Sequence, residues 1–396
     1  MATRSMTDMS KSTPKHKALF IGPYPPPYAG PEIGMKLFLD SSLKDSFDVI
    51  FLNTNVRSDN VNKGRFDHHM VLAFFRFFSR LIYLIVRRRP RVAYYPVKAT
   101  ALGWVGRDIW CLLLCRLFGI STVIHLRGSH LKLNVRKFPL WARSLARLSC
   151  RKVSLALVQA DCLRDQFDGW VPRDRVRVLY QAIDTKTYDN EDVENFDTDQ
   201  VLFIGNMTKA KGYCDIVRSI PIVAKRFPDI RFLFAGDLGM RERGVFYNQL
   251  TGERLVHEQP FDLHDEISSG PYRGNYEHLG VVSGSEKLRL IRDANIFVLP
   301  SYSEGFSRAL LEAMSMGKPV ICTPVGAHGE VVQDGIHGLL MVPGDVRKLA
   351  QNIIRLLEDP DLRNKMALTN YRYVRENFDI AKIAHRMERF LKEIIE

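Results

Sequence analysis

The sequence predicts an α/β protein of two domains, each a parallel sheet wound by helices on a Rossmann-like plan. Three observations carry that expectation. Strand-like apolar runs alternate with helical stretches twice over. A chain of 396 residues exceeds the size at which one core usually suffices. An acidic, apolar-poor segment from Asp184 to Asp199 separates the two series.

In chain order, residues 1–17 read as a polar disordered tail, because apolar Ala18 to Ile21 is too short for a signal-peptide core. Strand-like runs at 17–22, 47–53, 91–96, 121–126 and 154–159 then fill a first domain, 18–185. The apolar helix 70–86 lies between two of these strands and is expected in the core; Arg76 and Arg80 argue against its spanning a membrane. A later helical stretch is expected to place Arg136, Arg143, Arg147 and Arg151 on one side, beside Lys132, Lys137 and Lys152. After a linker, 186–199, the alternation restarts at 200–205, 230–236, 295–300 and 318–323 in a second domain, 200–370. Between 237 and 280 a long polar, glycine-bearing stretch reads as an extended loop. Residues 371–396 form a terminal helix.

Charge is divided unevenly. Residues 1–190 carry a net +17 and residues 191–396 a net −4, within a total of +13. Such asymmetry predicts an anionic partner for the first half alone. No zinc-finger, RNP or helix-turn-helix pattern appears, so membrane headgroups or a phosphate-bearing acceptor are favoured over nucleic acid. The six cysteines are scattered without metal-site spacing and read as buried thiols of a reducing, cytoplasmic compartment. Asp197-Thr-Asp199 precedes a strand rather than following one, which argues against a metal site.

The most informative stretch runs from Asn295 to Met316. A buried strand ends near Ser301, Gly305 frees the turn, Ser307 can cap a helix over 309–316, and Gly317 with Pro319 ends it. The helix N-terminus suits a phosphate, and Glu304 and Glu312 flank the turn as acceptors for sugar hydroxyls. An ordinary capped core helix with incidental acids is the alternative. At this spacing the segment resembles the Glu-x7-Glu signature of retaining glycosyltransferases of family 4, down to Leu311-Glu-Ala-Met314 and Gly317-Lys-Pro-Val-Ile321.

That resemblance implies the GT-B architecture, in which two Rossmann-like domains face each other across a cleft. The nucleotide would sit on the second domain, the acceptor on the first, and the terminal helix would cross back to the first. Glu304 would hold the donor sugar, Glu312 the ribose hydroxyls, and the N–H groups of Phe306, Ser307, Arg308 and Ala309 the sugar and phosphates, with Gly305 also among the donor-binding residues. Gly205, Asn206 and Lys211 resemble the glycine turn and Lys-Gly that hold the diphosphate, Val282 the loop beside the base, and Gly30 the small-residue loop after the first strand. Asn206 stands where the family has arginine, leaving Arg308 or Lys209 to compensate. His125 and Arg127 are both candidates for the family's site histidine, which precedes a small residue; a histidine simply packed at a sheet end is the alternative for His125.

The implied activity is sugar transfer from a nucleotide sugar to an acceptor hydroxyl with retention, without a metal or other cofactor. Surface polysaccharide or glycolipid assembly would be its setting, with a sugar or lipid-linked acceptor at the anionic inner face of a membrane. A nucleotide-sugar epimerase or phosphorylase on the same fold, and a nucleic-acid binder using the basic half, are the rival readings.

Overall fold

A computed structural model describes residues 15–26, 28, 30–55, 68–136, 138–190, 193, 198–238, 246–255 and 260–396. It contains two six-stranded, all-parallel sheets. The first has the order β2-β1-β3-β4-β5-β6, from β1 (His16–Gly22), β2 (Phe47–Asn53), β3 (Val92–Val97), β4 (Ser121–Leu126), β5 (Leu155–Val158) and β6 (Val176–Val178). The second runs β12-β11-β10-β7-β8-β9, from β7 (Gln200–Ile204), β8 (Arg231–Ala235), β9 (Tyr276–Gly280), β10 (Ile296–Leu299), β11 (Val320–Cys322) and β12 (Gly338–Leu340). Central strands covered on both faces must be apolar on both, which is why they read as continuous runs such as Ile296-Phe-Val-Leu299.

Side-chain alternation assigns the faces of the first sheet. Leu19, Ile21, Ile124 and Leu126 point to a core shared with helices α2 (His68–Arg88), α3 (Ile109–Leu117) and α4 (Leu140–Cys150). Ala18, Phe20, Tyr94 and Val123 point to the opposite face, which is covered by α1 (Gly30–Asp40). On that face the terminal helix buries Ile383, Ala384, Met387, Phe390 and Leu391, so the end of the chain packs on its first domain. In the second sheet α5 (Tyr213–Ala224) follows β7, and α7 (Arg308–Ser315) follows β10.

Several expectations change. The 237–280 stretch is not only loop: α6 (Pro260–Ser269) and β9 lie within it, and Tyr247 bridges Arg254. The basic stretch after β4 is not one helix, because Pro139 separates Leu131–Val135 from α4, and Lys132 is paired with Asp165 and Asp168. Lys137 and Asp197 lie outside the described residues. Helix α2 meets the core with one side only: of its described side chains Leu81 and Ile85 are buried, and Phe77, Phe78 and Leu84 pack partly against the core. Cys162 is exposed, unlike the other five cysteines. Among the described residues, no helix is long and apolar enough to cross a membrane.

Candidate functional site

Parallel strands bring their carboxyl ends to one rim, and that is where the predicted residues of the second domain collect. From β10 the chain runs through Ser301 and Glu304 into α7, whose first turn is capped by Ser307 Oγ, 3.3 Å from the N–H of Leu310. From β7 it runs through Gly205 and exposed Asn206 to the tight turn Lys209–Lys211. The two loops interlock: the Tyr302 N–H donates to Ala210 O at 2.9 Å, and Lys211 Nζ donates to Glu304 Oε1 at 2.5 Å.

Glu304 is buried, and burial by itself pushes its carboxyl up. The Lys211 ammonium, His328 and the Ser301 hydroxyl at 3.1 Å outweigh that and hold it below the usual value, so it stays ionised. Glu312 is fully buried one helical stretch away, where the Tyr188 hydroxyl at 2.7 Å, Arg308 Nε at 3.0 Å and the Lys287 ammonium surround it. Arg308 also donates to Ala182 O, and Lys209 faces Asp215 at 3.3 Å. Both cations that could replace the arginine missing at Asn206 are thus engaged with other groups, while Lys211 lies against Glu304 at the loop surface.

Gly305 lies where the domains meet. A Cβ there would come within 3.0 Å of both Arg127 O and Gln159 Oε1. Phe306 packs its ring on Tyr180 and Phe378. Ala309 and Val282 are half-buried against the core, and Gly30 opens α1 with space beside it.

The first domain's candidates divide. The Arg127 backbone reaches Gly305, but its guanidinium turns away to Tyr94 and the Pro31 carbonyl. His125 is fully buried beside Val123 on the α1 face, with Nδ1 2.7 Å from the Tyr94 hydroxyl; burial, then Arg127, pushes its pKa well down. The histidine that does meet the Glu304 loop is His130, hydrogen-bonded to Ser303 and flanked by Phe246 and Tyr247. Two further groups went unnoticed in the sequence. Gln249, from the 237–280 stretch, accepts the Glu304 N–H at 2.9 Å. His328 is fully buried near Glu304 and Lys211; apart from the Thr323 backbone, neither ring nitrogen has a hydrogen-bond partner among the described residues.

Residues 184–373 match the family model described as glycosyl transferases group 1. The alpha-D-kanosaminyltransferase of Streptomyces kanamyceticus is 26% identical over 273 residues, 64% of this chain and 66% of that protein. The capsular polysaccharide biosynthesis glycosyltransferase CapM of Staphylococcus aureus is 24% identical over 195 residues, 48% of this chain and 46% of that one. The chain spans about half the length of the curated relatives it matches. The crystal structure of Anabaena HepE in complex with UDP and glucose superposes with a TM-score of 0.70 at 18% identity, over 96% of this chain and all of that one. Residues 184–373 thus resemble the glycosyl transferases group 1 family, and they are set in a chain with the GT-B fold.

Proposed function

We propose that the chain is a retaining, metal-independent glycosyltransferase of family 4 type that moves a sugar from a nucleotide sugar to an acceptor hydroxyl. The Lys211–Glu304 pair at the mouth of the capped helix carries this reading, because it sets one cation and one ionised carboxylate where a sugar diphosphate would meet the helix N-terminus. Lys211 and the first-turn N–H groups of α7, with Gly205 and Asn206 beside them, would take up charge developing on the leaving diphosphate. Glu304 would accept from the donor sugar's hydroxyls; a carboxyl held ionised is poorly suited to donate a proton, so it is assigned binding rather than acid catalysis. Glu312 would receive the ribose hydroxyls in place of one of its present partners, with Val282 beside the base. Retention follows if the acceptor attacks from the face the diphosphate leaves, its proton passing to the leaving phosphate.

The acceptor would lie on the first domain, near Gly30 and the Arg127 backbone, with His130 rather than His125 reaching the Glu304 loop. The net +17 of residues 1–190 supports a lipid-linked acceptor at the anionic, cytoplasmic face of a membrane. Kinship with a capsular polysaccharide enzyme supports surface polysaccharide or glycolipid assembly as the setting.

A thermal-shift screen against UDP, GDP and ADP sugars tests the donor class, and one of them should raise the melting temperature. With that donor, Glu304→Gln should reduce turnover at least about tenfold, ~1.4 kcal/mol of barrier, with little effect on folding. Unchanged turnover removes Glu304 from the mechanism. Isomerisation of donor alone would identify an epimerase, and a salt-sensitive complex with RNA or DNA without any nucleotide-sugar shift would identify a nucleic-acid binder.

A further inference from the structure

Helix α2 has more apolar surface than its core contacts use: Leu81 and Ile85, with Phe77, Phe78 and Leu84, meet the core, and a second apolar set faces outward. None of residues 72–80 is buried, and Phe75 and Tyr83 are 63% and 62% exposed. Leu72, Phe75, Ile82, Tyr83 and Val86 fall at spacings of three, four and seven, which sets them in one stripe opposite buried Leu81 and Ile85. Arg76, Arg80 and Arg87 run along one flank of that stripe. A crossover helix runs antiparallel to the strands it joins, so the N-terminal half of α2 stands at their carboxyl rim, the side of the cleft. The next crossovers add exposed Leu102, Leu140 and Trp141 near the same rim.

We propose that this outer face of α2, with Leu102, Leu140 and Trp141, inserts into the interface of an anionic phospholipid bilayer. Charge complementarity selects that occupant. Helices α2, α3 and α4 carry seven arginines and no aspartate or glutamate. A second copy of the chain would bring those arginines against each other. Nucleic acid would pair with the arginines and leave the aromatic stripe in water. A bilayer interface satisfies both, since aromatic and leucine side chains enter the acyl boundary while each nearby arginine gains ~1 kcal/mol from anionic headgroups. The helix then lies on the membrane rather than crossing it, with the cleft mouth facing the lipid. The inference deepens the membrane part of the function proposed above and rests on that reading only for what the membrane would deliver.

The test is flotation of the full chain with phosphatidylcholine vesicles, with and without phosphatidylglycerol. Binding should require phosphatidylglycerol and weaken with added salt. The triple variant Leu72→Ser, Phe75→Ser, Tyr83→Ser and the triple variant Arg76→Glu, Arg80→Glu, Arg87→Glu should each lose binding at least about tenfold while keeping the parent's melting temperature. The UDP-induced shift, read on the same samples, should be the same in parent and variants. Equal binding to both vesicle types, or unchanged binding by the serine variant, overturns the proposal. Self-association abolished by the serine variant, with no vesicle binding, assigns the face to a second copy and overturns it as well. Absence of a nucleotide shift in the parent counts against the glycosyltransferase reading instead, and the vesicle result still decides the surface.

Discussion

At the scale of single residues the site contains buried groups whose ionisation the fold controls in opposite directions. Glu304 is held below its ordinary value of 4.5, so its contribution to stability is present above that value and is lost as pH falls through the lower folded one. His328 is held neutral rather than ionised, yet its contribution to stability is likewise lost on acidification. Burial first, with Lys211 adding and Glu304 opposing, lowers its pKa from 6.5 to about 4. On acidification the unfolded chain therefore takes up the proton before the folded one, and stability falls between those two values by an amount on the order of 3 kcal/mol. His328→Leu keeps the volume and removes the titration. Denaturant unfolding at about pH 7 and about pH 4.5 should show the parent losing more stability than the variant. Buried His125 has the same sign but is common to both proteins. Equal losses would mean that His328 is not the titrating group.

At the scale of elements, the turn that presents Lys211 depends on one backbone conformation. Gly212 has φ of 75°, and a Cβ there would lie 2.2 Å from the Pro300 carbonyl oxygen, so the turn can close onto the end of β10 only with glycine. Gly212→Ala should cost at least ~2 kcal/mol and weaken the shift produced by UDP, since Lys211 moves with the turn. Gly30→Ala is the control: its added Cβ meets no atom within 4 Å, and its stability should change by less than ~0.5 kcal/mol. If both variants unfold alike, the turn's conformation is not what matters. The long apolar strands and the capped helix were legible in the sequence because burial on two faces and capping leave local patterns. Edge strands β6, β9 and β12 were not, since three residues such as Val176-Arg-Val178 establish no period and Tyr276-Glu-His-Leu-Gly280 mixes polar and apolar residues on both sides. The outward apolar stripe of α2 escaped for a different reason, as such a stripe looks the same whether it faces a core or the outside. His130 and Gln249 reach the Glu304 loop through tertiary contacts, which leave no local trace.

At the scale of the whole molecule, the two domains are joined by contacts that close the cleft. His130 meets Ser303 and Arg308 donates to Ala182 O, while Tyr188 of the linker meets Glu312. A further carboxylate contact is made by Glu330, which accepts the Asp161 and Cys162 N–H groups at 2.9 and 2.6 Å across the domain boundary. The short helix His328–Val331 carrying Glu330 also abuts the Glu304 loop, where Ala327 donates its N–H to Gly305 O at 2.9 Å. A carboxylate pairing with two backbone donors is stronger than a neutral acceptor, but this one is exposed and should contribute only modestly to global stability. Its effect should instead be local. Glu330→Ala should leave the melting temperature nearly unchanged while the Asp161 and Cys162 amides exchange hydrogen about tenfold faster or more, as the first domain separates from the second. If closure assembles the donor site, the same variant should raise the Michaelis constant for the nucleotide sugar more than it lowers turnover. Unchanged exchange at both amides would show that Glu330 does not hold the domains together, and faster exchange with unaltered kinetics would show that closure at this contact is not part of donor binding.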